Sequence, residues 1–532
     1  MIEIWIKILA SVVCAAFLFF GTARLLGIAQ QSGYQSGGVW RWLRRSENLF
    51  FNRLSLWGLM GFLTTAIVAL SFSLWSTLAA RIATVLPFFL FCVLFLIAEK
   101  KYALKVPVKF TARVKKIAVV YALALACLSY LCIALLDFLS AVIESELYQA
   151  FAFVPFAFVP LLTPFGFIFA NWLVGIFANA SNKKFVACAG KVLDETQMLR
   201  VAVVGSYGKT SVKNMLATLL AKKYAVVATP ESYNTPMGIA KTVFSPEFQG
   251  KQVLIAEMGA RKAGDIAELC ALVKPDCAVF TGVCAQHIQS FGSEENVFKA
   301  KCEILSGVKD GGKIVCGKEV LERIQKTGET REILSGAEIK NLQPKAKETE
   351  FTLVLGGKEI FVRTKLLGVH NAENISLAAR LAYELGVSVE EIADGIKELM
   401  PVPHRLQLLE NGGRYILDDA YNANEKGAKE AITALSRFDG KKWLITPGIV
   451  ECGVLEEAVN ERLGEEIAKA EVDRVILVGE TLVGAVKNGY LKAGGDAEKL
   501  TVVKTLALAQ EELTGLNAGD CVLFLNDLPD AY

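Results

Sequence analysis

Histidine is close to absent: His287, His370 and His404 are the three in a chain of 532 residues. No histidine cluster is available to build a zinc site. The 12 cysteines contain no Cys-x-x-Cys pair and no Cys/His spacing of a zinc finger, so they read as reduced, mostly buried, small apolar residues. Net charge is slight, +3 from 57 Lys+Arg against 54 Asp+Glu, which is too little to attract nucleic acid. The chain also lacks internal repeats. Charged residues make up only 21%, hydrophobic residues reach 53%, and mean hydropathy is +0.40. The apolar excess is concentrated in the first third, and the length calls for two to four domains.

That first third reads as an α-helical membrane region, residues 1–185, with about five spans at residues 4–28, 54–80, 84–98, 117–136 and 148–179. Pro155, Pro160 and Pro164 interrupt the fifth, which suggests a kinked or partly re-entrant segment. Arg41, Arg44, Arg45 and Arg53 follow the first span, and Lys100, Lys101, Lys105, Lys109, Arg113, Lys115 and Lys116 follow the third. Asp137, Glu144 and Glu146 follow the fourth. Positive-inside logic therefore predicts a multi-pass protein of the plasma membrane with its N-terminus outside and everything after residue 182 in the cytoplasm, where ATP is. The spans hold almost no ionisable residues, which argues against an ion pathway. They serve either as a plain anchor in membrane lipid or as a platform holding a lipid-linked substrate.

About twenty residues beyond the last span, a strand-like run, Val201 to Val204, meets Gly205-Ser206-Tyr207-Gly208-Lys209-Thr210-Ser211 and then a helical pattern through Leu220. Strand, glycine loop and helix N-terminus form a phosphate-binding turn. The glycines admit close backbone approach, Lys209 adds a point charge, and Thr210 offers a hydroxyl to Mg²⁺. Further strands are predicted at residues 226–228, 251–259 and 277–281. Glu257 stands at the C-terminal end of its strand, where doubly wound sheets collect ligand-binding groups, and a carboxylate suits Mg²⁺.

Glu257-Met258-Gly259, Ala285-Gln286-His287, Phe291-Gly292-Ser293, Ala300-Lys301-Cys302-Glu303, Gly368 to Asn374, His404-Arg405-Leu406 and Asp418 to Asn424 follow the phosphate loop in one order. In that order the chain resembles the Mur ligase family from Leu199 onward, most nearly its MurF-type branch, which adds D-alanyl-D-alanine to a UDP-muramyl tripeptide. The resemblance implies a central ATP-binding domain at 186–400 and a C-terminal Rossmann-like domain at 401–532. It implies that Lys209 holds the ATP phosphates, with Gly205, Ser206, Gly208, Thr210 and Ser211 around them. Mg²⁺ falls to Thr210, Glu257, His287 and Lys301. Lys301 matches the lysine that the family carbamoylates; a free ammonium repels Mg²⁺, whereas a carbamate ligates it. Asn371 and Asn374 match adenine contacts, Asp419 the ribose contact and Arg405 a phosphate contact. Asn234, Tyr421, Asn422 and Asn424 are assigned to the substrate cleft.

The stretch Met400 to Leu406 reads as a hinge, followed by strands at 414–418, 443–446, 475–478 and 521–525 with helices between them. Departures from the family pattern are specific. Glu425 replaces a proline, Asn234 keeps one of two paired asparagines, and Thr446 to Glu451 replaces a glycine–aspartate turn. Membrane spans stand where the family has its UDP-binding domain. The function expected is a membrane-anchored, ATP-dependent acid–amino acid ligase working through an acyl phosphate in peptidoglycan precursor synthesis. Its partners are an amino acid or dipeptide, a muramyl-peptide-like acceptor that the spans suit to a lipid-linked form, and cell-wall synthesis proteins. A polyglutamate-type ligase is the alternative within the same chemistry. An ATP-driven transporter, which the missing LSGGQ-like signature disfavours, and a non-catalytic nucleotide-binding scaffold are the rivals of another class.

Overall fold

The computed structural model describes residues 2–44, 53–54, 56, 90, 93–99, 104, 107–142, 159–284, 291–421, 423–450 and 452–526. Contacts divide the chain into a unit spanning Met1–Ser181 and a unit spanning Asn182–Asp527.

The first unit is helical among its described residues. α1 (Ile2–Thr22) and α2 (Arg24–Gln31) bend by 48° at Ala23. Thr22 Oγ1 donates back to the Leu18 carbonyl at 2.6 Å and meets the Tyr121 hydroxyl at 2.7 Å, a back-bond of the kind that bends helices. α3 (Ala112–Val142) and α4 (Val159–Asp194) follow. Ala112–Cys132 and Leu161–Asp194 are each long and apolar enough to cross a membrane, and the bent pair raises the number to three if it counts as one span. The expected spans at 54–80 and 84–98 lie mostly outside the described residues, as does the start of the fifth. From Val159 onward that fifth segment is one helix, with Pro164 inside it and its end at Asp194 rather than near 179. Pro164 lacks an N–H and so removes one backbone bond, and the helix continues through it.

The second unit holds two six-stranded sheets and a three-stranded one. β1 (Leu199–Val204), β2 (Val226–Ala228), β3 (Val253–Met258), β4 (Cys277–Phe280), β5 (Ile314–Cys316) and β6 (Ile333–Ser335) form a parallel sheet of order β2-β3-β1-β4-β5-β6. Its central strands are apolar runs, because both faces are covered, broken by Arg200 in β1 and Glu257 in β3. Ala202, Val204, Leu254, Ala256 and Phe280 pack on one side, Val201, Val203, Ile255 and Val279 on the other. The second face carries α5 (Lys209–Leu220), while α6 (Glu294–Gly307) lies against the first. β7 (Glu338–Pro344), β8 (Thr349–Leu355) and β9 (Lys358–Thr364) make an antiparallel sheet whose inner residues Phe351, Leu353 and Val362 join the α5 core, together with α7 (Val369–Glu384).

Beyond the hinge, β10 (Gln407–Asn411), β11 (Arg414–Asp419), β12 (Lys442–Thr446), β13 (Arg474–Val478), β14 (Leu500–Val503) and β15 (Cys521–Leu525) are ordered β10-β11-β15-β12-β13-β14. β10 pairs antiparallel and the rest are parallel. α8 (Glu425–Leu435) packs in the core on one face of this sheet.

Candidate active site

The centre of the site is the turn from β1 into α5. Gly208, at φ +75°, is the cap residue of α5, and a Cβ there would stand 2.6 Å from Asn374 Oδ1. Only glycine meets both conditions. The loop is drawn onto β4 by Ser206 N, which donates to the Gly282 carbonyl at 2.7 Å, and by the Thr281 hydroxyl, which donates to the Tyr207 carbonyl. Lys209 curls back over the loop, donating to the carbonyls of Gly205 at 2.9 Å and Ser206 at 3.3 Å. Lys301, on α6 and 2% exposed, donates to the same Gly205 carbonyl at 3.0 Å. Burial and then the neighbouring Lys209 push the Lys301 ammonium down to about 7. Burial also lowers Lys209, with Glu257 opposing. The Ser206 hydroxyl is buried without a hydrogen-bond partner among the described residues, a polar atom left for a ligand.

Glu257, at the end of β3 and 1% exposed, forms the opposite wall. Its Oε2 accepts the Thr210 hydroxyl at 3.0 Å and lies 3.2 Å from Lys213 Nζ, while Oε1 accepts the Asn234 amide at 3.3 Å. Gly259 admits Asn234: a Cβ there would lie 2.8 Å from the amide carbon. Thr210 and Glu257 are a hard-oxygen pair suited to Mg²⁺. Among the described residues no three His, Cys, Asp or Glu side chains gather as a metal cluster. The donor set therefore fits a cation that completes its shell with phosphates and water, as Mg²⁺ does. His287, expected in this shell, lies outside the described residues.

Across the turn, Tyr207, Gly208, Ser211, Asn371, Asn374 and Asp419 are among the residues lining a narrow cleft. Asn371 and Asn374, both 5% exposed, face it from the first turns of α7. Asn371 Nδ2 donates to the Leu367 carbonyl at 2.8 Å. Asp419 accepts the backbone N–H of Leu406 at 3.0 Å, and burial raises its carboxyl above the usual range. Arg405, also in the cleft, lays its guanidinium 4.3 Å from the centre of the Tyr421 ring. The hinge is strained there, with His404 at φ +61° and Leu406 at φ +42°. His404 Nδ1 is 2.7 Å from Asp418 Oδ2, which gives Asp418 a hinge contact beyond its 3.2 Å acceptance of the Ala420 N–H.

Of the residues singled out in the sequence, Gly205, Ser206, Gly208, Lys209, Thr210, Glu257, Asn234 and Lys301 come together at the phosphate turn. Ser211, Asn371, Asn374, Arg405, Asp419 and Asn424 come together at the cleft. Tyr421 does not line the cleft. It is half-exposed, and its hydroxyl meets Ser232 Oγ at 2.7 Å. Asn424 spends its side chain accepting Gly427 N as the cap of α8. Asn422 lies outside the described residues. Sequence reading missed Lys426, whose Nζ donates to the Tyr207 hydroxyl at 3.0 Å, and Lys213.

A cavity of about 350 Å³ adjoins the turn, lined by Cys284, Glu319, Asn424, Lys426, Ile449 and Cys452 among others.

The family model described as Mur ligase middle domain matches residues 203–382, and that described as Mur ligase, glutamate ligase domain, matches residues 404–526. The UDP-N-acetylmuramoyl-tripeptide–D-alanyl-D-alanine ligase of Bacillus subtilis (strain 168) is 30% identical over 333 residues, covering 61% of this chain and 72% of that one. The ligase of the same name from Escherichia coli (strain K12) is 32% identical over 299 residues, covering 53% of this chain and 64% of that one. Among solved structures, the MurF ligase of Thermotoga maritima in complex with ADP aligns with a TM-score of 0.59 at 26% identity, over 65% of this chain and 80% of that one.

Proposed function

The chain belongs to the Mur ligase family, ATP-dependent ligases that form carbon–nitrogen bonds, and on that premise we propose that it joins an amino acid or dipeptide to a muramyl-peptide-like carboxylate at the cytoplasmic face of a membrane. D-alanyl-D-alanine is the first candidate amine, from the names of its relatives. The observation that carries the reading is the pairing of Lys209 and Lys301 on one loop carbonyl, opposite a buried Glu257.

A carboxylate cannot expel oxide, so ATP is spent to create a leaving group. The carboxylate oxygen attacks the γ-phosphorus and ADP departs, leaving an acyl phosphate. The amine then attacks the acyl carbon, the C–N bond forms, phosphate leaves with the C–O electron pair, and the ammonium proton passes to solvent. Lys209 releases the loop carbonyls to meet the phosphates, and the Ser206 hydroxyl and the α5 N-terminus receive their oxygens. Thr210 and Glu257 would hold Mg²⁺, which when bound neutralises charge on the transferring phosphoryl group. Asn371, Asn374 and Asp419 orient the nucleoside. The cavity beside Cys284 and Ile449 receives the amine. Lys301, with its ammonium weakened, offers a neutral amine to CO₂. A carbamate forms with loss of one proton, which turns a repelling cation into an oxygen ligand.

Membrane attachment is supported by the two span-length helices and by large apolar side chains turned outward on them, Leu123, Leu131, Phe169 and Phe177 among them. A lipid-linked acceptor is the form such an anchor suits. The test is to incubate the full chain in detergent with ATP, Mg²⁺, muramyl-peptide acceptors with and without a lipid carrier, and candidate amines. Phosphate release requiring both acceptor and amine supports the reading; release indifferent to both sinks it.

A further inference from the structure

Lys213 has no part in the steps above. It sits one turn after Lys209 on α5, is 1% exposed, and places Nζ 3.2 Å from Glu257 Oε2. That is the oxygen which also accepts the Thr210 hydroxyl at 3.0 Å, so the ammonium and the Thr210 hydroxyl meet at one carboxylate corner, on an oxygen named above for Mg²⁺. The Lys213 ammonium also donates to the carbonyl of Glu231. Glu231 holds φ +45° in the loop between β2 and the helix Pro236–Val243, beside Ser232, which reaches Tyr421. The Lys213 ammonium is thus held from two sides.

A bare divalent cation entering this corner would gain one carboxylate. It would face the ammonium groups of Lys209 and Lys213 at short range in a site with little water to screen them, so the fixed charge there is net positive even with Lys301 neutral. Nucleotide phosphates reverse that balance. Lys209 can turn toward them; Lys213, anchored on Glu231 and Glu257, has no comparable freedom. Burying a lysine beside a metal ligand is costly unless its charge serves some end.

We propose that Lys213 is a positioning residue that holds Glu257 against Thr210 and shuts free divalent cation out, so that the metal enters only together with nucleotide phosphates. The proposal rests on the reading of Thr210 and Glu257 as the Mg²⁺ ligands. Mn²⁺ is the probe, added to the full chain in detergent. Binding without ADP is followed by loss of the free-ion electron paramagnetic resonance signal, and binding with ADP, which itself quenches that signal, by the Mn²⁺ retained with the protein on rapid gel filtration. Wild type binds Mn²⁺ only when ADP is present. Lys213→Gln and Lys213→Met bind it without ADP at least about tenfold more tightly than wild type, and Lys213→Arg restores exclusion. Adding Glu257→Gln to Lys213→Gln removes the gained site. Wild type that takes up Mn²⁺ without ADP overturns the proposal and needs no variant to do so. A folded Lys213→Gln that binds no more tightly than wild type overturns it as well. Mn²⁺–ADP binding undiminished in Glu257→Gln strikes instead at the ligand reading beneath it.

Discussion

Lys209 and Lys301 meet at one carbonyl oxygen, and their substitution should have different signatures. Lys209→Met removes the charge that meets the phosphates, and kcat should fall by about 10²–10³ while the fold survives. Lys301→Ala should abolish turnover but leave ADP binding, measured by calorimetry, within a few fold; a non-catalytic scaffold would not respond to it at all. Burial of Lys301 also has a consequence for stability. Its folded value is lowered from 10.5 to about 7, so between those values the unfolded chain binds more protons and stability rises with pH. Below pH 7 both states carry the proton and the full cost of burying it is felt. In CO₂-free buffer, Lys301→Met should therefore raise Tm more at pH 6 than at pH 9. An equal rise at both would show that the ammonium is not penalised.

At the scale of elements, the strand–loop–helix unit was legible from sequence because each part obeys a local rule: an apolar run, glycines, then helical spacing. Strands β2 and β15 and helix α8 fall on the residues expected, and Glu257 stands at its strand end. The β7–β9 sheet was not foreseen. β7 is exposed along most of its length and mostly polar, so it lacks an apolar signature, although β9 alternates as a half-buried strand should. Lys213 was passed over because a buried charge looks like a surface residue until its partner, 44 positions away in the chain, is brought alongside. Gly208→Ala should cost about 1–2 kcal/mol from the left-handed backbone alone and should weaken ADP binding further, since the new methyl meets Asn374. Chemical denaturation and ADP titration separate the two effects. Tyr421→Phe loses the contact with Ser232 while keeping the ring under Arg405. It should lower kcat/KM by up to about tenfold with no loss of unfolding free energy beyond about 1 kcal/mol; an unchanged kcat/KM would mean the Ser232 contact plays no part in assembling the site.

For the whole molecule, the Mur ligase assignment rests on the part of the chain from residue 203 to 526, and the residues up to 181 form a separate unit that is helical where it is described. Their helical character was readable because hydropathy needs no partner to be recognised; two of the described helices are long and apolar enough to cross a membrane, and the expected stretches at 54–80 and 84–98 lie mainly outside the described residues. If the chain spans a membrane, it should stay in the membrane pellet after alkaline carbonate washing and leave only with detergent. Release by carbonate alone would reduce the helices to a peripheral attachment.

Two ammonium groups sharing the Gly205 carbonyl also make nucleotide binding a proton-counting event. Lys301 is partly deprotonated near neutrality because burial, and then Lys209, disfavour its charge. Phosphates arriving at the loop draw Lys209 away and add negative charge nearby, so the free amine of Lys301 should capture a proton from solvent. Binding of ADP at pH 7.5 should then show an apparent enthalpy that varies with the ionisation enthalpy of the buffer, its slope reporting a fraction of a proton taken up. Replacing Lys301 with Met should flatten that slope, and CO₂ saturation, which consumes the same free amine, should diminish it too.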